Sequence, residues 1–304
     1  MHTNEKRRIP AGVRLFHFSE FPVMQVRDLR RRFTALFREN GFESPELEAD
    51  FIISEVLHVR GLELPLRDPE MLTGTQQAEA EGFLRRRLAH EPFQYIFGWT
   101  PFRELDLKVG PGVLIPRPET EFMLDSVLKK LPRNAVVCEL GTGSGAIALS
   151  LAFERRDLTL YGSEISPAAF HWSELNRKAV NLPNVHFFQG SLYDPFPPGM
   201  KFDAVIANLP YIAEEERPQL PANVRDYEPS EALFASDHGY ALLEQAIREA
   251  PAHLKTDHAQ LFFEIGETQG KRLLDFIRRE GFFTNAEILA DQYGVPRQLF
   301  AERC

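Results

Sequence analysis

The chain has 304 residues and a formal net charge of −9, with 43% apolar and 26% charged residues. That length suits one large domain plus a smaller one, each with a packed core. No window approaches the roughly 18 uninterrupted apolar residues of a membrane span. The acidic balance argues against nucleic acid as the direct substrate, because such enzymes usually carry a basic footprint.

Residues 1–24 stand apart as a candidate tail. They are basic early but lack a sustained apolar stretch, so they do not read as a secretory signal; an organelle-targeting segment, or a start at Met24, are the other readings. The two cysteines, Cys138 in "AVVCEL" and Cys304 at the end, form no C-x-x-C pair, and the nine histidines show no H-E-x-x-H spacing. No disulfide framework and no metal site are expected, and a reducing, cytoplasmic compartment fits.

Residues 25–90 read as a helical unit. In "QVRDLRRRFTALFREN" the residues Val26, Leu29, Phe33, Leu36 and Phe37 recur at helical spacing, and Asn40-Gly41 makes a C-cap. "SPELEADFIISEVLHVRG" opens on Ser44 and Pro45 and is expected to close at Gly61. "TQQAEAEGFLRRRLAH" supplies another helix. The arginine clusters at 27–33 and 85–87 are either solvated helix faces or a docking surface for an RNA-associated partner. Residues 91–113, "FQYIFGWTPFRELDLKV" and its continuation, read as a β-hairpin linker around Gly98 and Pro101. Pro116 and Pro118 in "IPRPETE" then hold off a helix until Glu119, where acids suit a first turn.

From about 134 strands and helices alternate. Strands are expected at 135–140, 158–164, 184–189, 202–207 and 259–265, and helices at 144–154, 167–180, 239–254 and 268–280. A closing hairpin turns at Tyr293-Gly294. That rhythm predicts an α/β domain over 114–304 with a parallel sheet covered on both faces.

Two stretches carry chemistry. "AVVCELGTGSGAIALSLA" runs strand, glycine turn, helix. Gly141, Thr142, Gly143, Ser144 and Gly145 let the backbone approach a ligand, and the next strand ends in Glu164, a little over twenty residues on, where an acid accepts from ribose hydroxyls. This turn alone fits NAD as well as S-adenosylmethionine. "VIANLPYIA" sets Asn208, Leu209, Pro210 and Tyr211 at the end of the fourth strand. A planar NH2 group is a poor nucleophile, so a site that methylates it must hold both its hydrogens. The Asn208 side-chain oxygen and the Leu209 carbonyl are two acceptors, Pro210 fixes the backbone and Tyr211 stacks on the planar group.

With "GVLIPRPETE", "EPFQYIFG", "YEPSEALF", "FFEIGETQG" and "GVPRQLFAER", these stretches resemble the release-factor glutamine methyltransferases over roughly residues 26–304. The resemblance implies a class I S-adenosylmethionine methyltransferase fold, a Rossmann-like seven-stranded sheet behind a helical domain and a hairpin. It implies S-adenosyl-L-methionine as cofactor and, as substrate, the glutamine of the Gly-Gly-Gln motif in class I peptide chain release factors. It places cofactor contacts at Gly141 to Gly145, Glu164 and Asn208, and glutamine contacts at Asn208, Leu209, Pro210 and Tyr211. The family's usual Asn-Pro-Pro-Tyr here has Leu209 for the first proline, which also resembles ribosomal-RNA adenine dimethylases. In "QGSLYD" Ser191 and Leu192 stand where the family has an acid and an aromatic; Leu192 is expected on an adenine face, with Asp194 as a stand-in acid. Arg117, Thr120 and Glu121 are candidates for the site mouth, and Trp99 and Phe102 for its cover, while Glu264 and Gly266 read as packing. The rival functions are methylation of a ribosomal-protein glutamine or of an adenine amine in ribosomal RNA, and a non-enzymatic binding module.

Overall fold

A computed structural model describes residues 23–303. The candidate tail and Cys304 therefore lie outside the described residues, apart from Val23 and Met24. The chain divides into two compact units, the first ending at Phe97 and the second beginning at Gly98.

The first unit comprises helices α1 (Val26–Glu39), α2 (Pro45–Leu57), α3 (Leu64–Arg67), α4 (Gly74–Leu88) and α5 (Phe93–Phe97). All five apolar residues of the α1 stripe are buried, and they meet Ile52, Ile53, Leu64 and Leu84 in one cluster. Asn40 and Gly41 end α1 as expected, the Asn40 amide donating back to the Leu36 carbonyl at 2.8 Å. Gly61 does not close α2; His58 does so four residues after Ser54, in the left-handed region at φ 52°. The helical turn over 93–97 is a second departure from expectation, since the sequence pattern of this run is that of a strand. Pro92 precedes it, Phe93 and Phe97 stack one turn apart at 5.2 Å, and Gly98 at φ 82° stops it. Most of the arginine clusters are spent within the unit: Arg30 on Asp50 and Asp68, Arg32 on Glu81, Arg86 on Glu91 and Arg87 on Glu48. They read as structural ion pairs rather than a free basic face.

The second unit opens with the hairpin β1 (Trp99–Phe102) and β2 (Leu105–Lys108) and the helix α6 (Pro118–Lys130). It continues with β3 (Val136–Leu140), α7 (Ala146–Glu154), β4 (Thr159–Glu164), α8 (Pro167–Val180), β5 (Val185–Gln189) and β6 (Ala204–Ala207). Two single-turn helices follow, α9 (Ala222–Arg225) and α10 (Ser230–Leu233), then α11 (Ala241–His253), β7 (Gln260–Glu264), α12 (Gly270–Glu280), β8 (Asn285–Ala290) and β9 (Pro296–Glu302). The seven strands β3 to β9 form one sheet in the order β5-β4-β3-β6-β7-β9-β8, with β5 to β7 parallel and the β8–β9 hairpin antiparallel at one edge.

Alternation along each strand builds two cores. Val137, Leu160, Ile206 and Phe262 face α6 and α7, whereas Cys138, Val205, Ala207 and Phe263 face α11 and α12. Strand order reverses between β3 and β6. In open α/β sheets the crevice at the carboxyl ends of such a pair is where ligands bind. The residues that follow those two strands are Gly141 and Asn208.

Candidate functional site

The glycine turn after β3 is shaped by backbone torsion. Gly141, Gly143 and Gly145 have φ of 72°, 54° and 83°, a region L side chains rarely enter. Four of the turn's five amides are already used inside the protein. Gly141 and Thr142 donate to the Ser163 carbonyl, Gly145 to the Thr142 carbonyl, and Gly143 to Glu164 Oε2 at 2.8 Å. Glu164 Oε1 accepts a second amide, from Ser166, at 2.8 Å. The carboxylate is thus rigid, and it keeps lone pairs for a further donor. Burial pushes its pKa up, with Glu231 adding to the rise, while the amides of Ser166 and Gly143 hold it back.

A cavity of about 310 Å³ opens in front of this turn. Gly141, Gly143 and Glu164 form one wall, Val113, Leu114, Ile165 and Leu192 give apolar surface, and Asn208, Leu209 and Pro210 form the far wall. Among the described residues its titratable lining groups are Glu164 and Glu231. An acidic, largely apolar cavity suits a cationic ligand with a ribose and a flat ring. It is a poor cradle for a pyrophosphate, which would meet the Glu164 carboxylate where it needs free amides. The residues present therefore fit S-adenosylmethionine.

Thr142, Ser144 and Gly145 shape the turn without lining the cavity. Thr142 and Ser144 are buried, the Ser144 carbonyl accepts from Asn176, and a Cβ on Gly145 would meet Leu149 and Phe187 at 3.0–3.2 Å. Leu192 does line it, held at φ 41°, an uncommon torsion for a non-glycine residue that local structure must enforce. Asp194, expected as a stand-in acid, is exposed and is not part of the cavity wall.

A second cavity, of about 220 Å³, lies behind the first and shares Leu114, Asn208, Leu209 and Ala232 with it. Tyr211, Glu264 and Arg117 are on its other sides. Asn208 and Leu209 are thus a partition between the two spaces. The partition is held by contacts distant in sequence. Asn208 Nδ2 donates to Thr120 Oγ1 at 3.0 Å, and Thr120 Oγ1 donates to Glu264 Oε2 at 2.6 Å. The Tyr211 hydroxyl donates to Glu264 Oε1 at 3.2 Å. Behind Tyr211, Gln269 Nε2 donates to its carbonyl at 3.0 Å. Gly239, at φ 86°, packs so tightly there that a Cβ would come within 2.0 Å of the same oxygen.

"IPRPETE" splits. Arg117 lines the second cavity and pairs with the buried Glu228 carboxylate, which also accepts the Ile115 amide at 3.1 Å, whereas Thr120 lies behind the wall, bonded to Asn208 and Glu264. Glu121 instead takes the Arg103 amide in the hairpin turn, away from both cavities. Neither expected cover residue lines a cavity. Phe102 is buried in the core against α6 and α7, and Trp99 is partly exposed. Glu264, read from sequence as packing, is a fully buried carboxyl in the site network. Burial raises its pKa, and the hydroxyls of Thr120 and Tyr211 offset part of that rise. The signal was available: an acid closing the apolar run "LFFE" is a buried charge that needs partners. Glu228 in "YEPSEALF" gave no comparable sign of a role. Among the described residues no cluster of His, Cys, Asp and Glu is arranged to hold a metal, and no helix is long and apolar enough to cross a membrane.

Comparison with known proteins agrees with this geometry. Residues 28–98 match the family described as PrmC N-terminal domain, and residues 118–223 match the methyltransferase small domain. A release factor glutamine methyltransferase of Coxiella burnetii is 33% identical over 265 residues, spanning 86% of this chain and 93% of that protein. One of Vibrio cholerae is 36% identical over 250 residues, spanning 82% and 87%. A methyltransferase structure from Pyrococcus furiosus superimposes with a TM-score of 0.50 at 17% identity, over 76% of this chain and 99% of that one, and shares the fold. The cofactor of such a domain is S-adenosylmethionine. With identity of this level over most of its length, and with a methyltransferase sheet whose switch point carries both cavities, the chain belongs to the release factor glutamine methyltransferase family.

Proposed function

We propose that this chain methylates the side-chain amide of the glutamine in the Gly-Gly-Gln motif of class I peptide chain release factors, acting in the cytoplasm on translation termination. The single observation that carries this reading is the Asn208–Leu209 partition between an acidic, ribose-suited cavity and a smaller one of side-chain size. S-adenosylmethionine supplies, when bound, an electrophilic methyl on a sulfonium leaving group.

The chain's own residues do the rest. Glu164 receives the ribose hydroxyls, while Val113, Leu114, Ile165 and Leu192 enclose the flat ring. Asn208 Oδ1 and the Leu209 carbonyl accept the two hydrogens of the substrate amide, leaving its nitrogen aimed through the partition. Pro210 limits the backbone between them and Tyr211 offers its ring to the amide plane. No activated nucleophile is required: the nitrogen that gains the methyl gives up one of its two hydrogens as a proton, released to solvent by way of the acceptor that holds it, Asn208 Oδ1 or the Leu209 carbonyl. Alignment of the two reactants is the main resource, worth up to roughly 7–11 kcal/mol. The helical unit, whose family is matched separately, recognises the body of the protein substrate.

The test is mass spectrometry of a release factor incubated with the full chain and isotope-labelled S-adenosylmethionine. One methyl on the Gly-Gly-Gln glutamine is the expected result. Label on a ribosomal-protein glutamine or in ribosomal RNA, or no transfer despite cofactor binding, would overturn the reading. Transfer to RNA would also weaken steeply with salt.

A further inference from the structure

A carboxamide such as Asn208 can present either its oxygen or its NH2 to a ligand, and the wrong face would repel a substrate amide instead of accepting from it. Packing alone hardly distinguishes the two faces, which are nearly equal in shape. In this protein the choice is made by hydrogen bonding. Both Glu264 oxygens accept, one from the Thr120 hydroxyl and one from the Tyr211 hydroxyl. Thr120 has one hydroxyl proton, and at 2.6 Å from Glu264 Oε2 that proton is committed to Glu264. Towards Asn208, Thr120 therefore has only lone pairs, and at 3.0 Å it must receive Nδ2. Asn208 Oδ1, which has no protein partner among the described residues, is left for the cavities that Asn208 lines. The same Glu264 takes the Tyr211 hydroxyl on its other oxygen, so one carboxylate orients both the amide acceptor and the ring.

We infer that Thr120 and Glu264 are positioning residues: a carboxylate–hydroxyl relay from the end of β7 through the first turn of α6 that sets which face of the Asn208 carboxamide meets the substrate. This rests on the function proposed above. It deepens that reading by giving the order of donors and acceptors behind the acceptor that the substrate touches.

The test is steady-state kinetics, cofactor calorimetry and side-chain NMR on the full chain. Thr120→Val keeps the shape and removes the acceptor. It is expected to lower kcat by about 10- to 100-fold, since misplacing a reacting group by ~1 Å costs on the order of 100-fold. Its Kd for S-adenosylmethionine should stay within about twofold, the cavity wall at Glu164 being untouched. Thr120→Ser, which restores the hydroxyl, should recover kcat to within about threefold. Glu264→Asp, which keeps the charge but draws it back, is the second probe and should lower kcat with normal cofactor affinity. In the substrate-free enzyme the Asn208 side-chain amide signals should exchange faster in Thr120→Val than in wild type. Wild-type kcat in either Thr120→Val or Glu264→Asp, or a serine variant no better than the valine one, would overturn the relay. Because the ratios are taken on whichever amide the enzyme methylates, a different substrate identity would sink the functional reading and leave the relay judged on its own data.

Discussion

The two cavities meet at one partition but are built in opposite ways. On the cofactor side the glycine wall is local. Its glycine turn, its helix and Glu164 follow one another within a single β-α-β passage, and its bonds join the turn after β3 to the end of the adjacent β4, such as Gly143 to Glu164. The amide side is assembled from afar. Asn208 meets Thr120 across 88 positions, Thr120 meets Glu264 across 144, and Arg117 meets Glu228 across 111. A local wall tolerates change elsewhere in the chain, whereas a wall made of distant pieces depends on the whole sheet being in register.

The largest expected effect lies on the partition itself. Asn208→Ala should reduce kcat by about 100-fold or more, the usual cost of losing one preorganised polar contact, while cofactor affinity changes much less. Equal losses in both would show that the two sides are not separable. Next is the cofactor wall: Glu164→Ala should weaken S-adenosylmethionine binding by roughly 10- to 100-fold, the range for a charge-assisted hydrogen bond, with kcat at saturation nearly kept. The reverse pattern in calorimetry and kinetics would remove Glu164 from ribose recognition.

Acidity sharpens the same contrast. In the ribose role proposed for Glu164 the carboxylate is the binding form, and burial together with Glu231 raises its pKa above the ordinary glutamate value. Cofactor affinity should therefore be full above that raised value and fall as pH drops through it, a limb lying higher than an exposed glutamate would give. Titration calorimetry across pH checks this, and Glu164→Gln should abolish the limb.

Gly239→Ala probes the distant wall through packing. Its Cβ would press on the Tyr211 carbonyl and the Gln269 amide at a left-handed torsion, costing about 1–3 kcal/mol of stability and displacing Tyr211. A thermal melt with normal stability would show that the loop has slack. The smallest effect is expected of Leu209→Pro, the residue more usual in the family. The acceptor there is a backbone carbonyl, so kcat should stay within about threefold, the gain in backbone rigidity of ~0.4–1 kcal/mol opposing the loss of a buried side chain. A large loss would give the Leu209 side chain itself a part in the partition.

This asymmetry also explains what the sequence discloses. Every strand and long helix from β3 onward is legible, because apolar runs, glycine turns and alternation are local signals. The glycine turn, Glu164 and the Asn208–Tyr211 stretch are legible for the same reason. Which of Thr142, Ser144 and Gly145 line the cavity is not legible, because spacing reports a turn but not which way its groups face. Glu264 was undervalued because its partners, Thr120 and Tyr211, come together only when β7 lies beside β6 and α6 packs over the sheet. The helical turn at 93–97 was missed because its aromatic residues satisfy a strand pattern equally well, and stacking across one turn decided it.

The shared partition has a practical consequence. Two adjoining chambers with a common wall invite a single linked inhibitor, an adenosyl group tethered by a short bridge to a primary carboxamide. Joining the halves turns the second docking event into an intramolecular one, so affinity could exceed that of either half by about 10²–10⁴ if the tether matches the span. Such a compound would also serve as a ruler, because the tether length that binds best measures the distance over which the methyl group must travel.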